Sequence, residues 1–272
     1  MTRITITLSM LLMLVSCTPE QPPLKVTYIG NTGFHIASGS ASILIDALHC
    51  KGRDVYVKPS EGMLDSMITG IPPFQTVDYL FITHQDPDHF NDSLTYRFLA
   101  AHPETILVCP AQVTSILEED SLAFERYAAN IISIALDTGR TQQFMRKNLA
   151  FSATRTKHAD SYDIENLLYV IEANQNKLMH SGDSYDGQVA HLQEIDLKAE
   201  QIDLAILTTG YGRKGFAIAK EQIAPEEIIF CHFYKQLSGK LQSAMKKDTA
   251  TFSNITAFFH PGETCVYDFL EK

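Results

Sequence analysis

The sequence predicts a mixed α/β domain, and three features support that prediction. Short apolar runs recur along the chain between turns rich in Gly, Asn, Ser and Pro, which is the pattern of β-strands. Longer stretches of helical character lie between several of these runs. The chain has 272 residues, of which 45% are hydrophobic and 20% charged, so it can bury a sizeable core.

The predicted elements alternate in type along the chain. The first strands are Val26–Gly30, Phe34–Ala37 and Ser42–Asp46, followed by a long loop over residues 47–76 that we expect to form a lid or pocket wall. Later strands are predicted at Tyr79–Ile82, Thr105–Cys109, Ile131–Ala135, Gln142–Arg146, Ala150–Thr154, Leu167–Glu172, Lys177–His180, Leu204–Leu207, Glu227–Cys231, from Thr251, and at Cys265–Phe269. Helices are predicted at Ser93–Ala101, Ala111–Glu119, Gly187–Leu197 and Leu237–Lys247.

The N-terminus has the pattern of a bacterial export signal. The run Ile4–Val15 is mostly apolar and too short to remain as a membrane-spanning helix. It ends in Leu14–Cys17, which resembles a bacterial lipobox. We therefore predict a lipoprotein signal peptide over residues 1–16, lipid attachment at Cys17 and a tether over residues 17–23, ahead of one domain that spans the rest of the chain.

This N-terminal pattern also predicts where the protein works. We expect an exported protein, lipid-anchored on the periplasmic or cell-surface side of a bacterial membrane and in contact with that membrane only through its anchor. A plain secretory signal or a modest N-terminal helix is the alternative. The net charge of −10 and the lack of a basic patch argue against nucleic acid as a partner, because phosphate binding needs a basic surface.

The other cysteines predict no framework of disulfides. Cys50, Cys109, Cys231 and Cys265 are scattered and form no CxxC pair, so we expect buried free thiols. The chain also lacks a Gly-x-Ser-x-Gly elbow, which argues against a serine hydrolase.

Candidate metal ligands are concentrated directly after the predicted strand Tyr79–Ile82. His84, Asp86, Asp88 and His89 supply imidazole and carboxylate, the groups that divalent metals bind in proteins. Alternate positions share one side of an extended segment, while adjacent ones point in different directions. One ion could hardly use all four side chains, so the spacing predicts two neighbouring ions. A polar loop that caps the following helix is the alternative.

Other predicted strands also end in candidate ligands. His158, Asp183 and His232 each follow a strand, and Asp46 ends the third strand, where a carboxylate can orient ligands from behind. Sites are often assembled from loops at one edge of a rigid sheet. A lone polar residue at a strand end is usually structural, but the recurrence at strand after strand favours an assembled site.

These residues, in this order, resemble the metallo-β-lactamase superfamily. The chain has His84-x-Asp86-x-Asp88-His89, then His158, then Asp183 within Ser-Gly-Asp, then His232, where that family has HxHxDH, His, Asp and His. The resemblance covers the chain from Val26 to Asp268 and is closest to the branch that contains ascorbate-6-phosphate lactonase. It implies a four-layer αββα sandwich, a hydrolase domain over residues 24–272, and a site along one edge of the paired sheets.

The resemblance also implies how the ligands divide between two divalent ions. His84, Asp86 and His158 would bind the first ion, Asp88, His89 and His232 the second, and Asp183 would bridge them, with Asp46 behind the ligands. Asp86 departs from the pattern, because the family usually has a second histidine there, although flavodiiron members carry an acidic ligand. A donor set with three carboxylates is harder and therefore favours manganese or iron. The general order of affinities among divalent metals still favours zinc.

The predicted function is hydrolysis of a small ester, lactone or phosphoester by a metal-bridging hydroxide, with Asp88 and His232 as catalytic residues. Arg213 and Lys214, in a Gly-rich turn after a core strand, are predicted to bind an anionic group of the small-molecule substrate. Two solvated loop cations are the alternative for that pair.

Two other functions stay open at this point. One is a non-catalytic lipoprotein whose degenerate metal site, weakened at Asp86, binds a ligand. The other is a di-iron redox protein, which would need an electron-delivery domain for which the chain has no room. The first is distinguished from an enzyme by metal content, and the second by spectroscopy.

Overall fold

The computed structural model describes residues 22–158, 163–184, 194–208, 217, 219–248 and 252–269. The predicted signal peptide, Cys17, Arg213 and Lys214 lie outside these residues, as does most of the helix predicted at Gly187–Leu197. Within the described ranges, no helix is both long and apolar enough to cross a membrane.

The strands of the described residues form two sheets of seven strands each. The first sheet contains β1 (Leu24–Gly30), β2 (Gly33–Ser38), β3 (Ala41–Ile45), β4 (Tyr79–Phe81), β5 (Ile106–Pro110) and β6 (Ile131–Ile134) in that spatial order. The last strand of the chain, Thr264–Tyr267, pairs antiparallel with β1 at the edge of this sheet. The pairs β1–β2 and β2–β3 are antiparallel, and β3 to β6 are parallel.

The second sheet has the same division into an antiparallel and a parallel half. It contains β7 (Thr141–Arg146), β8 (Leu149–Lys157), β9 (Glu165–Ala173), β10 (Asn176–His180), β11 (Leu204–Leu207), β12 (Glu227–Phe230) and β13 (Ile255–Ala257), in that spatial order. Strands β7 to β10 are antiparallel to one another, and β10 to β13 are parallel. The strand Thr264–Tyr267 of the first sheet is β14.

The helices of the described residues cover the outer faces of the sheets. They include α1 (Glu61–Thr69), α2 (Asp92–Ala101), α3 (Ala111–Glu118), α4 (Ser121–Tyr127) and α5 (Ser238–Lys247). Leu64, Phe98 and Val113 of the first three helices share one core with Leu80 and Leu107 of the first sheet.

Successive side chains of a strand face opposite sides of the sheet, and this alternation explains the layers. Tyr79 and Phe81 of β4 face a core between the sheets, with Tyr169 of β9, while Leu80 faces the helices. A third core lies on the other face of the second sheet, where side chains of α5 pack at its margin. The predicted αββα sandwich is therefore confirmed.

The stretch over residues 47–76 differs from the prediction, because it contains a helix. The side chain of Ser60 accepts a hydrogen bond from the backbone N–H of Met63 at the start of α1, and Gly70 ends the helix in the left-handed conformation. Leu64 and Met67 are buried. Helix α4 is also absent from the sequence prediction.

The four cysteines within the described residues are free. Cys109 and Cys231 are buried, as predicted, and burial raises the pKa of the Cys109 thiol to about 12. Cys50 is exposed and Cys265 is intermediate, so the prediction of buried thiols is wrong for Cys50.

Candidate metal centre

The predicted ligands of both ions meet at one edge of the sandwich. The first sheet contributes the segment that follows β4, and the second sheet contributes residues after β8, β10 and β12. Two groups of donor atoms result, each within 4.8 Å: His84 with His158 and Asp183, and Asp88 with His89 and His232. The site therefore lies on the seam between the two sheets.

Asp86 lies beside the first group. One of its carboxylate oxygens is 3.8 Å from Nε2 of His84 and 3.6 Å from Nε2 of His158. Two ligand atoms that bind one ion at about 2.1 Å are about 3 to 4 Å apart. The position of Asp86 thus fits a ligand of the first ion, although its side chain is 31% exposed and is the least enclosed of the three carboxylates.

Asp183 faces both groups. Its Oδ2 is 3.7 Å from Nε2 of His158 and 3.3 Å from Nε2 of His232, and its Oδ1 is 3.4 Å from Nε2 of His89. Asp88 completes the second group, with Oδ2 3.6 Å from Nε2 of His232. These distances are compatible with the bridging role that the resemblance implies for Asp183, which stays a prediction.

The turn that carries Asp183 depends on a glycine. Gly182 has a positive φ of 52°, and a Cβ added there would overlap the side chains of Asn166 and Thr83. Asn166 also accepts a hydrogen bond of 2.9 Å from the backbone N–H of Asp183. Only glycine allows this approach, so Ser-Gly-Asp has a local structural reason as well as a chemical one.

Asp46 sets the orientation of His89 from behind. Its carboxylate accepts hydrogen bonds from the backbone and hydroxyl of Thr83, at 2.8 and 2.7 Å, and lies 2.8 Å from Nδ1 of His89. An ionised carboxylate only accepts, so Nδ1 of His89 carries the hydrogen and Nε2 is directed at the site. Asp46 is completely buried, in the position predicted for it.

Buried polar atoms that make no hydrogen bond indicate whether this set of donor atoms suits a metal ion. Nε2 of His84, Nε2 of His89 and Oδ1 of Asp183 are buried and make no hydrogen bond of ordinary geometry with the described residues. A buried polar atom without a partner costs free energy, and these three point into the same space. Imidazole nitrogen and carboxylate oxygen fit divalent ions there.

The electrostatics favour ionised carboxylates in the centre. Burial alone would raise the pKa of Asp183, but the charges of His232 and His89 hold it well below its ordinary value. Burial likewise opposes ionisation of Asp88, and His232 and His89 still lower its pKa. Asp86 differs, because burial raises its pKa despite His158 and His89.

The pKa values of His84 and His89, the two histidines in the segment after β4, shift in opposite directions. Burial lowers the pKa of His84 well below its ordinary value, and the charge of His89 lowers it further. Burial would also lower the pKa of His89, but Asp183 and Asp46 raise it well above its ordinary value. A proton on His89 and a metal ion compete for the same lone pair on Nε2.

Three contributors to the site are absent from the sequence prediction. The side-chain amide of Asn31 donates to Asp88, 3.1 Å from Oδ2 and 3.2 Å from the backbone carbonyl oxygen. The backbone carbonyl of Asn31 accepts a hydrogen bond from the backbone N–H of His232. Thr32 contacts Nδ1 of His89 at 3.0 Å. Tyr56 packs its ring on His232. Asn31 has a positive φ of 52° in an Asn-Thr-Gly turn, a sequence that is common in ordinary turns.

The family of the chain is established by comparison with known proteins. Residues 53–233, more than half of the chain, match the family described as "Beta-lactamase superfamily domain". The chain belongs to this superfamily. The resemblance to the metallo-β-lactamase superfamily is therefore confirmed, and the branch of ascorbate-6-phosphate lactonase stays a prediction.

Individual relatives extend this result. A UPF0173 metal-dependent hydrolase of Pyrococcus furiosus is 25% identical over 217 residues, 77% of this chain and 84% of that protein. Igni18, a metallo hydrolase of Ignicoccus hospitalis, has 18% identity and a TM-score of 0.59 over 91% of this chain and 99% of its own. CmlA, a diiron β-hydroxylase of Streptomyces venezuelae, has 13% identity and a TM-score of 0.57 over 93% of this chain and 55% of its own. The two solved structures show a shared fold alone.

Proposed function

We propose that this protein is a metal-dependent hydrolase that cleaves a small ester, lactone or phosphoester at a centre of two divalent ions. The hydrolase class is supported by family membership together with a relative named a metal-dependent hydrolase. The substrate class and the two-ion centre are our inference. The observation that carries the inference is the pair of donor groups that both face Asp183.

The proposed ligands are those predicted from the sequence. His84, Asp86 and His158 would hold one ion, Asp88, His89 and His232 the other, and Asp183 would contact both. When bound, the two ions would supply Lewis acidity for the scissile carbonyl or phosphoryl oxygen and lower the pKa of water towards neutrality.

Asp88 and His232 are the residues to which we assign the chemistry. Because the pKa of Asp88 is lowered, its carboxylate is ionised at neutral pH and can accept a hydrogen bond from the attacking water. Asn31 holds this carboxylate through Oδ2. His232, nearly buried beside Asp88 and Asp183, would help to orient the reacting group of the substrate.

The carboxylates also affect the choice of metal. Three carboxylates beside four imidazoles form a harder donor set than one with histidine at position 86, which favours manganese or iron over zinc in the first group. The distances from Asp86 to His84 and His158 support this role.

Elemental analysis of the protein purified without chelator, beside an Asp86→His variant, tests the proposal. We expect about two ions per chain in both proteins, manganese or iron in the wild type and more zinc in the variant. Turnover of p-nitrophenyl esters, lactones and bis(p-nitrophenyl) phosphate by the loaded protein would then narrow the substrate. One ion or none in the wild type, with the second restored by Asp86→His, would contradict the proposal and favour a ligand-binding protein.

We also propose that the protein is exported and lipid-anchored at Cys17, on the strength of the Leu14–Cys17 pattern alone. Mass spectrometry of the protein from bacterial membranes should find a diacylglyceryl group on Cys17 and no preceding residues. A Cys17→Ser variant should leave the membrane fraction. An intact N-terminus from Met1 in the wild type would contradict this proposal.

A further inference from the structure

The loop between β3 and α1 lies directly over the second donor group. Gly52 has a positive φ of 96°, and a Cβ added there would overlap the Cβ of Asp88. The backbone N–H of Lys235, three residues after His232, donates a 2.8 Å hydrogen bond to the carbonyl of Val55. The loop is therefore held at two points, against Asp88 on one side and against the segment after His232 on the other.

Tyr56 lies between these two points. Its ring centroid is 4.4 Å from that of His232, with the two planes 32° apart, and 5.4 Å from that of Tyr234. Tyr56 is partly exposed, whereas the side chain of His232 is only 10% exposed. The phenol thus covers the solvent side of a candidate ligand, at the entrance to the centre. Burial, followed by Tyr234 and the charges of Asp183 and Asp88, raises the pKa of the Tyr56 hydroxyl well above its ordinary value.

A hydrogen-bond donor at this entrance would add to the attraction of the centre for an anionic oxygen. Asp86, Asp88 and Asp183 bring three negative charges, which offset much of the positive charge of two divalent ions. A phenol has an ordinary pKa of about 10, so it carries its hydrogen at neutral pH and donates it without adding charge. Such donors stabilise negative charge on a substrate oxygen when they are fixed in advance.

We propose that Tyr56 binds the substrate directly, by donating its hydroxyl hydrogen to an anionic or developing anionic oxygen of a phosphoryl or acyl group. The inference rests on the proposed hydrolase function and adds the group that recognises this oxygen. The packing of the ring on His232 and the two fixed ends of the loop position the hydroxyl before substrate arrives.

A Tyr56→Phe variant distinguishes the contribution of the hydroxyl from that of the ring. Phenylalanine keeps the packing on His232, so we expect unchanged metal content by elemental analysis. Binding of inorganic phosphate to the metal-loaded protein, measured by calorimetry, should be about ten-fold weaker, because a hydrogen bond to a charged oxygen is lost. Tyr127→Phe, on α4 in the outer helical layer, is the matched control and should bind phosphate like the wild type.

The outcomes distinguish this inference from the proposed function. Equal phosphate affinity in Tyr56→Phe and the wild type, or no phosphate binding by the loaded wild type, would overturn the role of Tyr56. If the loaded wild type hydrolyses no ester, lactone or phosphoester but Tyr56→Phe still weakens phosphate binding, the proposed function fails and the role of Tyr56 stands.

Discussion

The pKa of a buried histidine in this protein depends on the groups that surround its ring. His89 is enclosed by Asp46 and Asp183, which raise its pKa, and His35 is enclosed by apolar groups and a hydroxyl. His35 lies in β2, on the first sheet, with its Nε2 3.0 Å from the hydroxyl of Ser42 and its ring 5.0 Å from that of Phe74. Burial, with a smaller effect of Lys25, lowers the pKa of His35 to about 4.

His35 therefore predicts a loss of stability in mild acid. Its pKa is lower in the folded than in the unfolded protein, so the unfolded chain binds the proton first as the pH falls from 6.5 towards 4. Between pH 7.5 and pH 4.5 we expect this residue to remove about 2.5 kcal/mol from the free energy of unfolding. Urea denaturation of the wild type and His35→Gln at both pH values measures it, since the variant should lose less.

The control for this experiment is His260→Gln, because His260 is exposed in the turn before β14 and its replacement should leave the stability nearly unchanged. The two variants receive the same chemical change, so differences between them report the burial of His35. Equal loss of stability with pH in the wild type and in His35→Gln would show that burial of this residue does not cause the effect.

At the scale of secondary structure, the elements that could be predicted are those with a strong local pattern. Strands such as β5 and β11 are buried on both faces, so their sequences are continuous apolar runs. The ends of such strands also identify His84, His158, Asp183 and His232 as candidate neighbours, because strands that run in the same direction bring equivalent ends to one edge.

Other elements could not be predicted because their cause is not local. Helix α1 lies between Pro59 and Gly70 and contains Gly62, which weakens a helical pattern, and it is stabilised by packing of Leu64 and Met67 against the first sheet. Asn31 and Tyr56 reach the centre from β1 and from the long loop through contacts far apart in sequence. No pattern within either segment distinguishes them from ordinary turn and loop residues.

At the scale of the whole molecule, the candidate centre joins the two sheets. His84, Asp86, Asp88 and His89 belong to the first sheet, whereas the ligands after β8, β10 and β12 belong to the second. Ions bound there would link the sheets across their seam and would bind the folded state only. Their free energy of binding therefore adds to stability.

Metal removal should consequently lower the melting temperature. For each ion present at about a thousand times its dissociation constant, the loss is about 4 kcal/mol, or roughly 8–16 °C for a domain of this size. Calorimetric scans before and after dialysis against chelator, with metal content measured on the same samples, test this, and manganese should restore the original value. An unchanged melting temperature in protein proven free of metal would contradict a centre that links the sheets.

The direction of β1 has a consequence for the approach of substrate. This strand starts at Leu24, next to the proposed tether, and ends at Gly30, one residue before Asn31 at the centre. Seven residues of strand extend about 20 Å, so the start of β1 lies about that far from the candidate centre. An anchor at Cys17 would therefore attach the chain ahead of the end of β1 that is remote from the centre. Dissolved molecules, rather than lipids of the anchoring membrane, would have the direct path to it.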